Sequence, residues 1–366
     1  MYFNDIRLKN FRNYKNISIN LHKDLNILIG NNGEGKTNIL ESIYFLSLLK
    51  SHRTIKLNDL INFKEEYTEI FTNITNDNDK KIVTYLKFDK LKGKNVSINN
   101  LDINRLADFI GYIKVVMIAP EDMRIIKDSP SIRRKFLDIN ISQIDKIYLK
   151  SILKYNKVLN LKNNLLKEKN INDKLLDVYD EQISLCSGII INKRLQYIDM
   201  LNKFSKSIHN DISCNKENIN IVYKSFIDLD VYKNNENMKN KILDILKNNR
   251  NIDKIKKSSS SGIHRDDFMI FINNREALNY SSQGQQKSAI ISIKLSIVKI
   301  IKEITKEYPV LLLDDILSEL DSKRRKFLLN FLPYVQTFIT CTEIHEKILR
   351  PCKIFNISKG EILEEC

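Results

Sequence analysis

Leu25-Asn26-Ile27-Leu28-Ile29-Gly30-Asn31-Asn32-Gly33-Glu34-Gly35-Lys36-Thr37 is the stretch that decides the fold. Its first five residues form the short apolar run of a buried strand, and beyond Thr37 the residues Ile39, Leu40, Ile43 and Leu46 recur at helical spacing. Between strand and helix lies G-x-x-x-x-G-K-[ST] in full. Glycines in such a loop let successive backbone N–H groups turn toward phosphate oxygens at a helix N-terminus. Lys36 then reaches the β- and γ-phosphates, and the Thr37 hydroxyl ligates Mg²⁺. Three of the chain's nine glycines fall in this octet, so the match is more than a product of composition. Residues Gly30, Asn31, Asn32, Gly33, Glu34, Gly35, Lys36 and Thr37 are therefore read as a phosphate cradle, with ATP as the implied ligand.

A P-loop requires a magnesium carboxylate at the end of a neighbouring buried strand. Val310-Leu311-Leu312-Leu313-Asp314-Asp315 supplies one: Asp314 for the Mg²⁺ ion, and Asp315 to orient or deprotonate the attacking water. Lys36, Asp314 and Asp315 are thus the candidate catalytic residues, with Thr37 and Asp314 at the metal. Upstream, Ser281-Ser282-Gln283-Gly284-Gln285-Gln286-Lys287 opens another helix and looks like a variant of the ABC signature loop, matched at Ser282 and Gly284. Unpaired amides and the positive dipole end at such a helix start stabilise phosphate charge once a second subunit faces the first. Its bland alternative is a serine-capped helix. Leu317-Ser318-Glu319-Leu320-Asp321 resembles a D-loop. Where a switch histidine is expected, the chain reads Ile339-Thr340-Cys341-Thr342.

The rest of the composition excludes several classes. With 366 residues, 42% of them hydrophobic and 29% charged, the chain can bury a large core. No apolar run reaches membrane-spanning length and no apolar leader follows Met1, which predicts a cytoplasmic protein with no membrane partner. Cys186, Cys214, Cys341, Cys352 and Cys366 are odd in number and far apart, so they suggest neither disulfides nor a zinc site. The net charge of +15 favours a polyanionic partner, although heavy use of lysine throughout the chain would produce some of it without one.

The expected architecture is α/β: a P-loop ATPase head with a mixed sheet and an antiparallel β subdomain, plus an inserted helical subdomain. Residues 1–125 read as the N-terminal part of the head, 126–260 as the helical insertion and 261–366 as the C-terminal part. Segments 67–75, 81–88 and 94–98 alternate like an antiparallel meander, and the apolar strands near both chain ends look like parts of one sheet. Tyr148, Ile152, Tyr155 and Leu159, and then Leu176 through Ile208, carry a near-heptad seam interrupted at 167–174. This predicts an antiparallel helical hairpin. Helices assumed to be short favour a compact subdomain over a projecting coiled coil.

Further motifs resemble the RecF family of ABC/SMC-like ATPases over nearly the whole chain. They are Leu8-Lys9-Asn10-Phe11-Arg12-Asn13-Tyr14, Ser51-His52-Arg53, Pro120-Glu121-Asp122, Arg133-Arg134-Lys135-Phe136-Leu137-Asp138, His264-Arg265-Asp266-Asp267 and Ser282-Gln283-Gly284-Gln285-Gln286. The resemblance implies Ser282, Gly284 and Gln285 as nucleotide-contacting residues. It also implies a weak ATPase that forms an ATP-dependent homodimer and binds double- and single-stranded DNA at gaps or junctions. RecR and RecO would be its partners in loading RecA. The alternative is a transporter-type ABC ATPase subunit. Arg12 and Arg53 are expected to face the nucleotide or its loops, and His264 and Asp267 to be functional or structural. Arg133-Arg134-Lys135, Lys254 with Lys256 and Lys257, and Lys323 to Lys326 are candidate DNA contacts or solvated helix faces.

Overall fold

The structure, a computed structural model, describes residues 1–229, 235–331, 335–343 and 350–365; Cys366 lies outside them. It divides into two compact units, residues 1–122 with 291–366, and residues 123–290. The segment 261–290, which includes Ser282 and Gly284, belongs to the second unit together with the helical insertion.

In the first unit, the strand Leu25–Ile29 lies in parallel between two strands from the far end of the chain, Thr337–Cys341 and Cys352–Ser358. Val310–Leu313 and Val115–Ile118 extend the sheet in parallel, and Glu361–Glu365 closes the opposite edge antiparallel. Val115–Ile118, Val310–Leu313 and Thr337–Cys341 are buried at every position. That is why they read as unbroken apolar runs: a parallel strand is covered on both faces. The two chain ends therefore do belong to one sheet. Its parallel strands deliver Gly30, Asp314, Cys341 and Ala119 to the same edge, where α/β sheets bind ligands.

An antiparallel sheet completes this unit, in the order Tyr14–Asn20, Asp5–Phe11, Tyr67–Thr75, Lys81–Asp89, Gly93–Ile98 and Leu101–Asp102. Alternation from Tyr67 to Ile74 gives it one buried face. The helix Lys36–Leu48 buries Ile39, Leu40, Ile43, Phe45 and Leu46, and these side chains join residues of both sheets in a single core.

The second unit is built on an antiparallel pair of helices, Lys146–Leu165 and Asp173–Ser213. Asp145 and Asn172 start them, each side chain accepting an amide hydrogen of the first turn. The longer helix has 41 residues, about 60 Å at 1.5 Å per residue. The expectation of short helices is thereby corrected: the helix runs unbroken through Gly188, the one glycine within it. Length here does not mean projection. The long helix packs against Lys146–Leu165, Asn235–Asn248 and the strand Ile219–Lys224, and buries residues from Leu176 to His209. That strand pairs with Asp267–Ile272 in a three-stranded sheet.

Candidate nucleotide-binding site

The loop Gly30–Gly35 leaves the central strand and turns into the helix Lys36–Leu48. Gly35 has φ 120°, in the region that favours glycine, and a Cβ there would lie 2.6 Å from the Asn13 amide nitrogen. Lys36 is 4% exposed. Its ammonium folds over the loop and donates to the carbonyls of Gly30 (2.5 Å) and Asn31 (2.9 Å). The Asn31 amide donates to the Glu34 carboxylate at 3.0 Å, so one amide of the loop already engages an anion.

At the neighbouring strand end, the Thr37 hydroxyl donates to Asp314 at 2.9 Å, which brings together residues 277 positions apart. The Thr340 hydroxyl donates to the same carboxylate oxygen at 2.7 Å and accepts from the Asp315 amide at 2.8 Å. Thr340 thus ties both aspartates to the adjacent strand. Sequence reasoning registered this position as a missing histidine with a hydroxyl or nothing in its place, and did not foresee the contacts with Asp314 and Asp315. Asp315 takes a left-handed conformation with φ 47°, which turns the chain sharply after the strand. Burial pushes the Asp314 carboxyl above its ordinary range; the two threonine hydrogen bonds oppose that shift, and the charges of Asp315 and Glu121 add to it. A buried carboxylate next to like charges and a hydroxyl ligand fits a divalent cation, which would relieve the strain on the charged form.

Two arginines expected at the nucleotide or its loops settle against the P-loop helix. Arg12 makes a bidentate pair with Glu41, both bonds 2.8 Å, and Glu41 is fully buried. Ser51 donates to the same carboxylate at 2.5 Å. The Arg12 charge is therefore spent inside the fold. Arg53 donates to the Asn38 side chain at 3.1 Å, beside the P-loop.

In the second unit, Ser282 and Gln285 form a reciprocal capping box at the start of the helix Gln283–Thr305. The Ser282 amide donates to the Gln285 side chain at 2.9 Å, and the Gln285 amide donates to the Ser282 hydroxyl at 3.3 Å. Gln285 thus has a capping partner of its own, while Ser282 stays exposed at the helix start. Gln286 is buried and donates to the Ala277 carbonyl at 2.9 Å, which holds the preceding turn.

The His264–Asp267 run has structural partners. His264 shares a 2.6 Å hydrogen bond with the Tyr155 hydroxyl, and burial lowers its pKa to about 4. Asp266 is buried among Arg194, Tyr223, Ser225 and the Phe226 amide. Asp267 receives both arms of Arg133 at 2.6 and 2.9 Å. Arg134 donates to the Asp266 carbonyl at 2.7 Å, and Lys254 pairs with Asp173 at 2.7 Å. Arg133, Arg134 and Lys254, read as candidate DNA contacts, thus each engage a neighbour within this unit. Arg324 likewise pairs with Asp321.

Residues 2–357 match the model of the RecF/RecN/SMC N terminal domain family. A DNA replication and repair protein RecF of Clostridium botulinum (strain Alaska E43 / Type E3) is 44% identical over 367 residues, covering 99% of this chain and all of the relative. A second RecF, from Clostridium botulinum (strain ATCC 19397 / Type A), is 45% identical over 368 residues and 99% of each chain. Among solved structures, the recombination mediator protein RecF with ATP in the RecFOR pathway superposes with a TM-score of 0.93 at 33% identity, over 100% of this chain and 97% of that one. An Smc head domain from Pyrococcus furiosus, at 17% identity and a TM-score of 0.56, shares the fold alone. Among the described residues no helix is long and apolar enough to cross a membrane. Agreement along the whole length, on an ABC-type head with a P-loop at the ligand edge of its sheet, establishes that the chain belongs to the RecF family of DNA replication and repair proteins.

Proposed function

We propose that this chain is an ATP-switched DNA-binding protein of recombinational repair. ATP and Mg²⁺ join two copies head to tail, the dimer holds gapped or junction DNA, and slow hydrolysis resets it. The observation that carries this reading is the meeting of Thr37 with Asp314 at the P-loop edge. A nucleotide-triphosphate ATPase needs a hydroxyl and a carboxylate at one cation, next to amides that cradle phosphate. Mg²⁺, when bound, would neutralise charge on the phosphate oxygens. Lys36 would exchange its loop carbonyls for phosphate. Asp315 would orient or deprotonate the attacking water, and Thr340 would keep both aspartates in register.

Ser282 and Gly284 would complete the site of the facing subunit. The exposed helix start supports that role, since its positive dipole end suits phosphate charge. The charge of +15 supports a polyanionic ligand such as double- or single-stranded DNA. RecR and RecO would be its partners, and RecA loading the outcome; membership of a family with solved members described in the RecFOR pathway supports that reading.

Sedimentation with ATP or a slow analogue, with and without DNA, tests the switch in wild type, Lys36→Met and Ser282→Arg. Wild type alone should dimerise with nucleotide. Ser282→Arg should bind nucleotide as a monomer, and Lys36→Met should lose most nucleotide binding. Dimers of all three proteins in the absence of nucleotide would sink the proposal.

A further inference from the structure

Asn13 occupies the turn between the strands Asp5–Phe11 and Tyr14–Asn20 and lies outside every role assigned above. Its side-chain amide donates to the Glu34 carbonyl at 3.0 Å, and its side-chain oxygen accepts from the side-chain amide of Asn38 at 2.7 Å. The Glu34 carbonyl accepts a second bond from the Gly360 amide at 3.0 Å, in the turn between the last two strands. Next along the loop, the Gly35 carbonyl accepts from the Tyr14 hydroxyl at 3.0 Å. Two successive peptide units of the P-loop are therefore held from outside by turns near opposite ends of the chain.

Peptide planarity gives these bonds a consequence for the ligand. In a trans peptide the carbonyl of one residue points opposite to the N–H of the next. Pinning the Glu34 carbonyl outward therefore aims the Gly35 N–H the other way, and pinning the Gly35 carbonyl does the same for the Lys36 N–H. Those amides belong to a phosphate cradle, which binds well when its donors are aimed before the ligand arrives. The fit is close on both sides of Asn13. A Cβ on Gly360, which has φ +79°, would lie 2.9 Å from the Asn13 carbonyl oxygen, and one on Gly35 would meet the Asn13 and Tyr14 side chains.

We propose that Asn13 is a positioning residue for the nucleotide: it touches no phosphate, but presets the orientation of the P-loop amides and couples them to the C-terminal hairpin. The inference rests on the reading of Gly30–Thr37 as a nucleoside-triphosphate site. Because the clamp acts before binding and equally through turnover, its loss raises KM with little change in kcat.

The test is binding of a fluorescent ATP analogue together with steady-state ATP turnover, in full-length wild type, Asn13→Ala, Asn13→Asp, Asn38→Ala and Gly360→Ala. Asn13→Ala should raise Kd and KM about fivefold with kcat within about twofold, the size of its one lost hydrogen bond to the loop main chain. Asn13→Asp keeps the acceptor for Asn38 but sets a carboxylate against the Glu34 carbonyl, so it should lose at least as much. Asn38→Ala leaves the Glu34 bond in place and should lose about twofold. Gly360→Ala should resemble Asn13→Ala, although the substituted turn is more than 340 residues away in sequence. Unfolding midpoints report whether each variant is folded, and the graded order of the Asn13 and Asn38 variants distinguishes positioning from general weakening. Wild-type affinity in Asn13→Ala and Asn13→Asp, or a fall in kcat at unchanged KM, would overturn the proposal. Failure of wild type to bind the analogue would instead refute the nucleotide-site reading beneath it.

Discussion

The strand ends of the P-loop unit and the interior of the helical unit use charge in opposite ways. In the P-loop unit, Lys36, Asp314 and Asp315 gather at the ends of parallel strands, and among the described residues Lys36 is held by main-chain carbonyls that a phosphate could replace. In the helical unit the charges are matched to one another. Arg194, 1% exposed, reaches Asp138 at 2.9 Å, the Tyr148 hydroxyl at 3.0 Å and the Ile263 carbonyl at 3.2 Å, with Asp266 at 3.4 Å. Lys162 lies between Asp180 and Asp253, each 2.9 Å away, and none of the three is exposed. A site for a charged ligand leaves bonds to exchange, whereas a buried network pairs its charges with one another. Motifs of similar appearance, one around Lys36 and one around His264, therefore belong to different physics.

Removing one member of the closed network gives the sharpest contrast. Arg194→Met should leave Asp266 and Asp138 short of a partner, at a cost of about 3–5 kcal/mol. At roughly 2–4 °C per kcal/mol for a domain of this size, the unfolding midpoint should drop by about 10 °C. Calorimetry is the measurement. A shift of less than about 2 °C would mean that the network is a solvated cluster, and the comparison would break.

Thr340→Val tests the open site at lower cost. The substitution keeps the shape of a fully buried side chain while removing the hydroxyl that joins Asp314 to the Asp315 amide. ATP turnover should fall about tenfold with nucleotide affinity within about threefold, because the aspartates lose register while the P-loop is untouched. Thr340→Ser should recover most of the loss. Equal turnover in Val and Ser variants would remove Thr340 from the mechanism.

Legibility in the sequence follows the same division. Leu25–Ile29 and Val310–Leu313 were readable to the residue because a buried parallel strand next to a phosphate loop has few alternative sequences. Asp314 followed from the demand of the P-loop for a carboxylate. By contrast, the partner of Arg12 is Glu41, fixed by how a hairpin turn lies on a helix, and nothing local in the sequence announces it. The strand Ile219–Lys224 went unassigned because its polar and apolar residues fit several local patterns; its identity depends on pairing with Asp267–Ile272. His264 and Asp267 read as a motif, yet whether a motif faces a ligand or another side chain is decided by packing. The long helix was underestimated although its seam from Leu176 to Ile208 runs past Gly188 without a break; a lone glycine lowers helix stability by only about 1 kcal/mol, and packing outweighs that.

The smallest effect compares one histidine from each unit. Burial lowers His52 and His264 from 6.5 to about 4. Nδ1 of His52 has no hydrogen-bond partner among the described residues, and its ring packs edge-on against Tyr44 at 5.2 Å. His264 is bonded through both nitrogens, to Tyr155 and to the Ser259 carbonyl. A histidine depressed in the folded state is protonated first in the unfolded chain. Its contribution is therefore complete above about pH 6.5 and declines as the pH falls toward 4. At pH 6 each should cost less than about 1 kcal/mol relative to pH 7.5. Asp314 and Asp266, both raised, work in the other direction, so the raw pH slope mixes signs. His52→Phe isolates the histidine, since it keeps a ring against Tyr44 and removes the titration. Denaturant unfolding at pH 7.5 and pH 6 should show wild type losing more stability than the variant. Identical losses would mean that His52 titrates as it does in water and that the pocket beside the P-loop helix is wetter than its packing implies.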